Sequence, residues 1–202
     1  MKKTASWLTL CLFLSVIVAC TTTQSTTGTG DSTGMVTDSI KSDTASSDTS
    51  SQMAFADISA TKSDTSGNGR AEFRKKADGN VELSLTVSFP KMANKSVAVH
   101  LHEHGDCGDQ GKGAHGHWNP TNEAHGQWGS AAFHSGDIGN VQLNAEGTGS
   151  ITLASNRWTI GGDDKTNILN RAVIVHSGVD DYTTQPTGNA GSRIGCGVVS
   201  AH

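Results

Sequence analysis

Residues 73–89 read FRKKADGNVELSLTVSF, a run whose spacing separates strand from helix. Val81, Leu83, Leu85, Val87 and Phe89 occupy every second position, with polar residues between them. Side chains two apart share one face of an extended strand, whereas a helix would scatter them around its axis. Asp78-Gly79, just ahead of the run, marks a turn, so the stretch predicts a β-hairpin with one buried face. Residues 140–154 (NVQLNAEGTGSITLA) repeat the device: Val141 and Leu143 precede a Gly-rich turn, and Ile151 and Leu153 follow it. RAVIVH at 171–176 is a short apolar run suited to a buried strand and ends in His176. With 24 glycines, 34% hydrophobic residues and little helix-forming sequence, the chain reads as all-β from about Met53 onward. Its formal charge of -4 gives a nucleic-acid role no electrostatic support. There is no internal repeat.

Two segments precede that domain. Residues 1–19 read as an export leader, with MKK as the basic start and WLTLCLFLSVIVA as an apolar stretch ending just before Cys20. The apolar run is short of the roughly 20 residues that a transmembrane helix requires. IVAC resembles the lipobox of bacterial lipoproteins, in which the cysteine is diacylated and becomes the new N-terminus. Thr21, in place of an aspartate, points by the same resemblance to the outer membrane of the cell envelope; ordinary secretion with cleavage nearby is the alternative. Two or three acyl chains would anchor the protein stably. In residues 21–52, 18 of 32 positions are Ser or Thr, which cannot bury enough surface to offset ordering entropy. The expected organisation is a signal peptide over 1–19, a lipidated Cys20 with a disordered tether to 52, and a folded domain over 53–202.

The chemistry is carried by histidine. Seven of the nine histidines fall between 100 and 134. In VAVHLHEHGDC, Val97, Val99 and Leu101 share one strand face while His100, His102 and His104 share the other. His115, His117 and His125 follow in GAHGHWNPTNEAHGQW, then His134 and Asp137 in FHSGDIGNV. Imidazole suits copper and zinc, and an added carboxylate suits zinc. These donors are too many for one tetrahedral site, so counting alone allows two metals; a loose His-rich metal buffer or solvent-facing histidines are the competing readings. Long Gly-rich stretches, 105–136 and 177–195, separate the clearer strands; loops of such length in a compact domain are usually functional or disordered, and the first holds His115, His117, His125 and His134. With Cys11 in the leader and Cys20 as the lipid site, Cys107 and Cys196 remain. In an exported protein they favour one disulfide, with thiolate ligation of a metal as the alternative.

HLHEHGDC, GHWNP, HGQWG, FHSGDIGNV, RAVIVH and TGNAGSRIGCGVV occur in an order and spacing that resembles the copper/zinc superoxide dismutases, over essentially all of residues 53–202. The resemblance implies an eight-stranded, flattened Greek-key β-barrel, an immunoglobulin-like sandwich architecture with long metal-binding loops. It implies copper held by His100, His102, His117 and His176, and zinc held by His117, His125, His134 and Asp137, with His117 bridging the two. Asp180 resembles the carboxylate that links a copper ligand to a zinc ligand. Cys107 and Cys196 match the family disulfide, and Arg193 resembles the arginine beside the copper. The implied reaction is dismutation of superoxide to dioxygen and hydrogen peroxide by alternate reduction and reoxidation of copper, with His117 and Arg193 the catalytic side chains and zinc structural and tuning. The alternative on the same fold is an exported copper/zinc store or chaperone-like module. A homodimer is a further expectation.

His104, His115 and His202 have no ligand counterpart in that pattern; His202 is expected to be a free chain end. Trp118, Trp128 and Trp158 read as packing residues. The segment between His176 and Arg193 has no lysine, so Lys112 and Lys165 are the candidates to supply local positive charge for an anionic substrate.

Overall fold

The computed structural model describes residues 52–202. The expected leader over 1–19, the Cys20 lipid site and all but the last residue of the 20–52 tether lie outside them. The decisive stretch folds as its alternation requires. Val81, Leu83, Leu85 and Val87 are at most 1% exposed, and Ala71 and Phe73 face them from the preceding strand. Strands β2 (Asn68–Lys75) and β3 (Val81–Ser88) are joined by a turn in which the Asn80 N–H donates to Asp78 Oδ1 at 3.0 Å. Gly79 takes a φ of +88° there, a value open to glycine at little cost.

The other strands are β1 (Met53–Ala60), β4 (Ser96–His102), β5 (Gly139–Gln142), β6 (Thr148–Ser155), β7 (Ala172–His176), β8 (Arg193–Val198) and the two-residue β9 (Ser200–Ala201). They hydrogen-bond in the order β5-β4-β7-β8-β1-β2-β3-β6, with β9 beside β1, and the strand pairs are antiparallel. The ends of this path, β5 and β6, are consecutive in the chain and meet through a tight turn at 143–147, closed by the Asn144 N–H donating to Thr148 O at 2.9 Å. The sheet is thus an eight-strand barrel that nearly closes, and β9 is the only addition to the expected strand set among the described residues.

The apolar faces fill the barrel. Phe73 and Trp158 meet edge-on with ring centroids 5.7 Å apart, and Trp118 and Trp158 are both buried. Trp128 packs on Trp158 and Phe133, at 5.1 Å from each. Outside the barrel, the long connections 103–138 and 177–192 lie against β4 and β7. Cys107 and Cys196 form a disulfide across 89 residues, which ties the first connection to β8 and settles the choice against thiolate ligation.

Candidate metal centre

β4 supplies the first two side chains. Val97, Val99 and Leu101 turn into the core at 0% exposure, so His100 and His102 point the opposite way. That outer face is covered by the loops, and His100 and His102 are themselves only 0% and 1% exposed. β7 ends in His176, where a register shift between Val175 and His176 sets it opposite Arg193. Such a bulge re-aims a side chain, and here the His176 and His102 Nε2 atoms lie 3.3 Å apart. His117 pairs with His102 through an isolated antiparallel bridge, and its ring centroid is 3.9 Å from that of His100. Donor atoms of His100, His102, His117 and His176 all lie within 4.8 Å of one another.

A second group, within the same limit, comprises His117, His125, His134 and Asp137, all buried. Asp137 is its hub. Its Oδ1 is 2.9 Å from His117 Nδ1 and 3.2 Å from His134 Nδ1, and its Oδ2 is 3.0 Å from His125 Nδ1. The main-chain N–H groups of His134 and Gly126 donate to Oδ2 at 2.8 and 3.2 Å and hold the carboxylate in place.

Five of the six rings commit one nitrogen outward. The Nε2–H of His100 donates to Asp180 Oδ2 at 2.8 Å, and the Nε2–H of His125 donates to Asp180 Oδ1 at 2.9 Å. The Nδ1–H of His102 donates to His115 O at 2.9 Å, and the Nδ1–H of His176 to Gly191 O at 3.3 Å. The Nε2–H of His134 donates to Glu123 O at 3.1 Å. Each such bond fixes a tautomer and leaves a lone pair on the other nitrogen, facing inward. His117 is the exception: its Nδ1 faces Asp137, and no acceptor outside the two groups takes either nitrogen.

The inward nitrogens are the test of whether metals fit. His100 Nδ1, His117 Nε2, His125 Nδ1 and His134 Nδ1 are buried with no hydrogen-bond partner; the last two approach Asp137 off the line of a hydrogen bond. An orphaned buried group of this kind costs about 1–3 kcal/mol. Several converging lone pairs form a donor set for cations. An all-imidazole set suits copper, and three imidazoles with a carboxylate suit zinc.

Electrostatics agree with that division. Burial pushes His100 down and His102 well down, and lowers His117 to about 4 and His176 to about 3, so these rings are neutral at pH 7, as ligation requires. Burial opposes charge on His125 too, but Asp137 and Asp180 outweigh it and raise this ring to about 9, so in the metal-free chain its Nδ1 also carries a proton, which a metal would have to displace. Burial would raise Asp137 and Asp180, yet hydrogen bonds from the histidines hold both well below the usual carboxylate range.

Arg193 opens β8. Its guanidinium donates to the carbonyls of Gly111 and His115, and the same His115 O accepts from His102. Outside it lies a cavity of about 240 Å³ lined by Lys62, Gln110, Lys112, Gly191, Ser192 and Arg193. Its lining holds three cations, of which Lys112 also pairs with Asp109 at 3.5 Å. Lys112 is there as one expected lysine; Lys165 is not, and Lys62, which no sequence signal singled out, is.

Residues 67–199 match the profile of a family described as copper/zinc superoxide dismutase (SODC). The chain belongs to the copper/zinc superoxide dismutase family. It is 36% identical over 135 residues to copper–zinc superoxide dismutase 1 of Aquifex aeolicus (strain VF5), covering 65% of this chain and 79% of that protein. It is also 36% identical over 110 residues to copper–zinc superoxide dismutase 2 of the same organism, covering 52% of this chain and 64% of that one, just under two thirds of its length. Among solved structures, the clock protein EA4 superposes with a TM-score of 0.65 at 29% identity, over 76% of this chain and 97% of that one. Copper and zinc are the metals of this family, and the two histidine groups could bind them.

Some of the supporting residues carry no sequence signal. Asn140, at the start of β5, accepts the Asp180 N–H at Oδ1 (2.9 Å) and donates through Nδ2 to Asp180 O and Tyr182 Oη, both at 2.9 Å. Gln185 grips His125 twice, accepting its N–H and donating to its carbonyl, each at 2.9 Å. His104 and His115 fall outside both buried groups, on the surface. His202 is not free: its main-chain N–H donates to Met53 O and its ring packs edge-on against Phe55.

Proposed function

We propose that this chain is an exported, lipid-anchored enzyme that dismutates superoxide. Copper would be held by His100 Nδ1, His102 Nε2, His117 Nε2 and His176 Nε2, and zinc by His117 Nδ1, His125 Nδ1, His134 Nδ1 and Asp137. The observation that carries the reading is the sharing of His117 between two four-donor groups, on the one ring without an outward acceptor. Bound copper supplies the one-electron couple by which two superoxide ions and two protons become dioxygen and hydrogen peroxide, while zinc supplies charge and geometry.

The chain's own residues do the rest. The Arg193 guanidinium keeps its charge at every physiological pH and docks the anion. Lys62 and Lys112 add positive potential at the mouth, which a net-negative protein needs to draw in an anion. His117 Nε2, buried and without a hydrogen-bond partner, can hold a proton whenever it is not a ligand and pass it to the substrate being reduced. Asp180 keeps His100 and His125 in their ligating tautomers.

The experiment is superoxide dismutation by the purified protein reconstituted with copper and zinc, beside His100→Ala and Arg193→Ala. His100→Ala should abolish activity. Arg193→Ala should keep both metals, lower the rate by about tenfold or more and weaken its salt dependence. Both metals bound without dismutation would overturn the reading in favour of a copper/zinc store. The anchor rests on the lipobox-like IVAC: Cys20→Ser should release the protein from outer-membrane fractions, and sedimentation tests the expected homodimer.

A further inference from the structure

Outside the two buried groups, the fold gathers a third set of donors on its surface. Glu103, His104 and His115 each place a donor atom within 4.8 Å of the others. The His104 and His115 rings meet edge to face with centroids 4.6 Å apart.

Strand register accounts for the meeting. The chain leaving β4 runs antiparallel to residues 114–118. The Trp118 N–H donates to Leu101 O at 2.8 Å, His102 and His117 form a bridge pair, and the Glu103 N–H donates to Gly116 O at 3.0 Å. Continued in that register, His104 falls opposite His115. The pairing that apposes two histidines of the buried centre thus apposes two more outside it.

The backbone under this set is fixed before any ion arrives. The His104 N–H donates to Ala114 O at 3.3 Å and the His115 N–H to Lys112 O at 3.0 Å, while the disulfide pins Cys107 just beyond. His115 has φ +59° and ψ -140°, a conformation open to glycine and costly for an L-residue. Its ring is exposed, so burial in the core does not offset that strain; glycine would serve the backbone better, yet an imidazole occupies the position. The Glu103 carboxylate makes no ion pair among the described residues.

We propose that Glu103, His104 and His115 form a third, solvent-facing site for a divalent transition metal, with Cu²⁺ preferred over Zn²⁺. Two imidazoles among three donors disfavour Ca²⁺ and Mg²⁺, which seek oxygen. With coordination positions left to water, nothing imposes the tetrahedral geometry that would favour zinc, so the intrinsic order of affinities places Cu²⁺ first. The site does not rest on the reading of the buried centre.

The test titrates Cu²⁺ into purified protein whose buried sites have been loaded with copper and zinc, followed by calorimetry and electron paramagnetic resonance. The expected result is one further equivalent per chain, with a signal split by two imidazole nitrogens. His104→Ala and His115→Gly should each remove it while the buried metals stay, and His202→Ala should leave it intact. Saturation at the two buried metals, or an extra equivalent that survives His104→Ala, overturns the proposal; displacement of the extra Cu²⁺ by equimolar Zn²⁺ overturns the preference. Should the buried pair fail to load, the outer equivalent is still expected and still depends on His104, so the two readings fail separately.

Discussion

Asp180→Ala tests how the two buried groups are linked. Asp180 Oδ2 accepts from His100, and Oδ1 accepts from His125 and from the Tyr182 N–H at 2.8 Å. Both ring contacts are fully buried, so the substitution strands two imidazole N–H groups away from water. At about 1–3 kcal/mol for each, the metal-free protein should lose about 2–6 kcal/mol, a large part of an ordinary domain's stability. Loss of an outer partner typically weakens a metal site by about 10–100-fold. The two sites should not suffer equally. His100 sits within β4, with the His117 and His176 rings 3.9 and 5.1 Å away, so packing still aims its Nδ1. His125 sits on a loop, where Gln185 holds its main chain but no strand ladder fixes the ring, so its aim depends more on Asp180. Zinc affinity should therefore fall by about 100-fold and copper affinity by about 10-fold. Competition with chelators measures each metal with the other present, and urea unfolding of the metal-free protein measures the stability loss. Zinc affinity within about threefold of the parent, well short of that range, or a copper loss larger than the zinc loss, would show that Asp180 does not orient His125 in this way.

Gly188→Ala should reproduce much of this effect. At φ +68°, a Cβ there would collide with Asp180 Oδ1 and come within 2.6 Å of His125 Nε2, so zinc retention during dialysis should drop. Reducing the Cys107–Cys196 disulfide, which spans 89 residues, should cost the metal-free protein about 4.6 kcal/mol in the chain-entropy model. Urea midpoints with and without reductant check this figure, and a difference below about 1 kcal/mol would count against the model. The metal-free protein should be most stable near pH 6.5. Below that, unfolded histidines take up protons that buried His117 and His176, at about 4 and about 3, refuse; above it, the stabilisation from His125, held at about 9 when folded, is lost as that ring deprotonates. Midpoints measured from pH 5 to 9 in chelator check the two slopes.

The barrel was legible because alternation is local. Five apolar residues at every second position in 81–89 can have only one buried face, and the structure buries it. The donors could be named as residue types from the stretch 100–137, since nothing in a β core uses so many imidazoles. What the sequence withholds depends on register between distant segments. Lys62 and Lys112 share a cavity wall because β1 pairs with β8 near Ala60 and the disulfide draws the Cys107 loop to the same strand. Asn140 looks like any strand-edge asparagine until β5 pairs with β4 and faces the Asp180 loop. The bulge at Val175/His176 has no composition signature, yet it sets His176 opposite Arg193. The outward pairing of His104 with His115 was hidden for the same reason.

The carbonyl of His115 holds the Arg193 guanidinium on one side and the His102 ring on the other. Between Cys107, tethered to β8, and His117, bridged to His102, the chain is therefore pinned at both ends and again by Arg193 at Gly111 and His115. Such a segment has no slack in length: one residue added or removed would shift the arginine and the metal-binding ring together. Residues 120–122 carry fewer such ties, whereas Glu123 is held again by Asn119, His134 and Arg157, so 120–122 are the natural place for relatives to grow or shorten. Variation in loop length should accordingly gather after His117 and stop short before it.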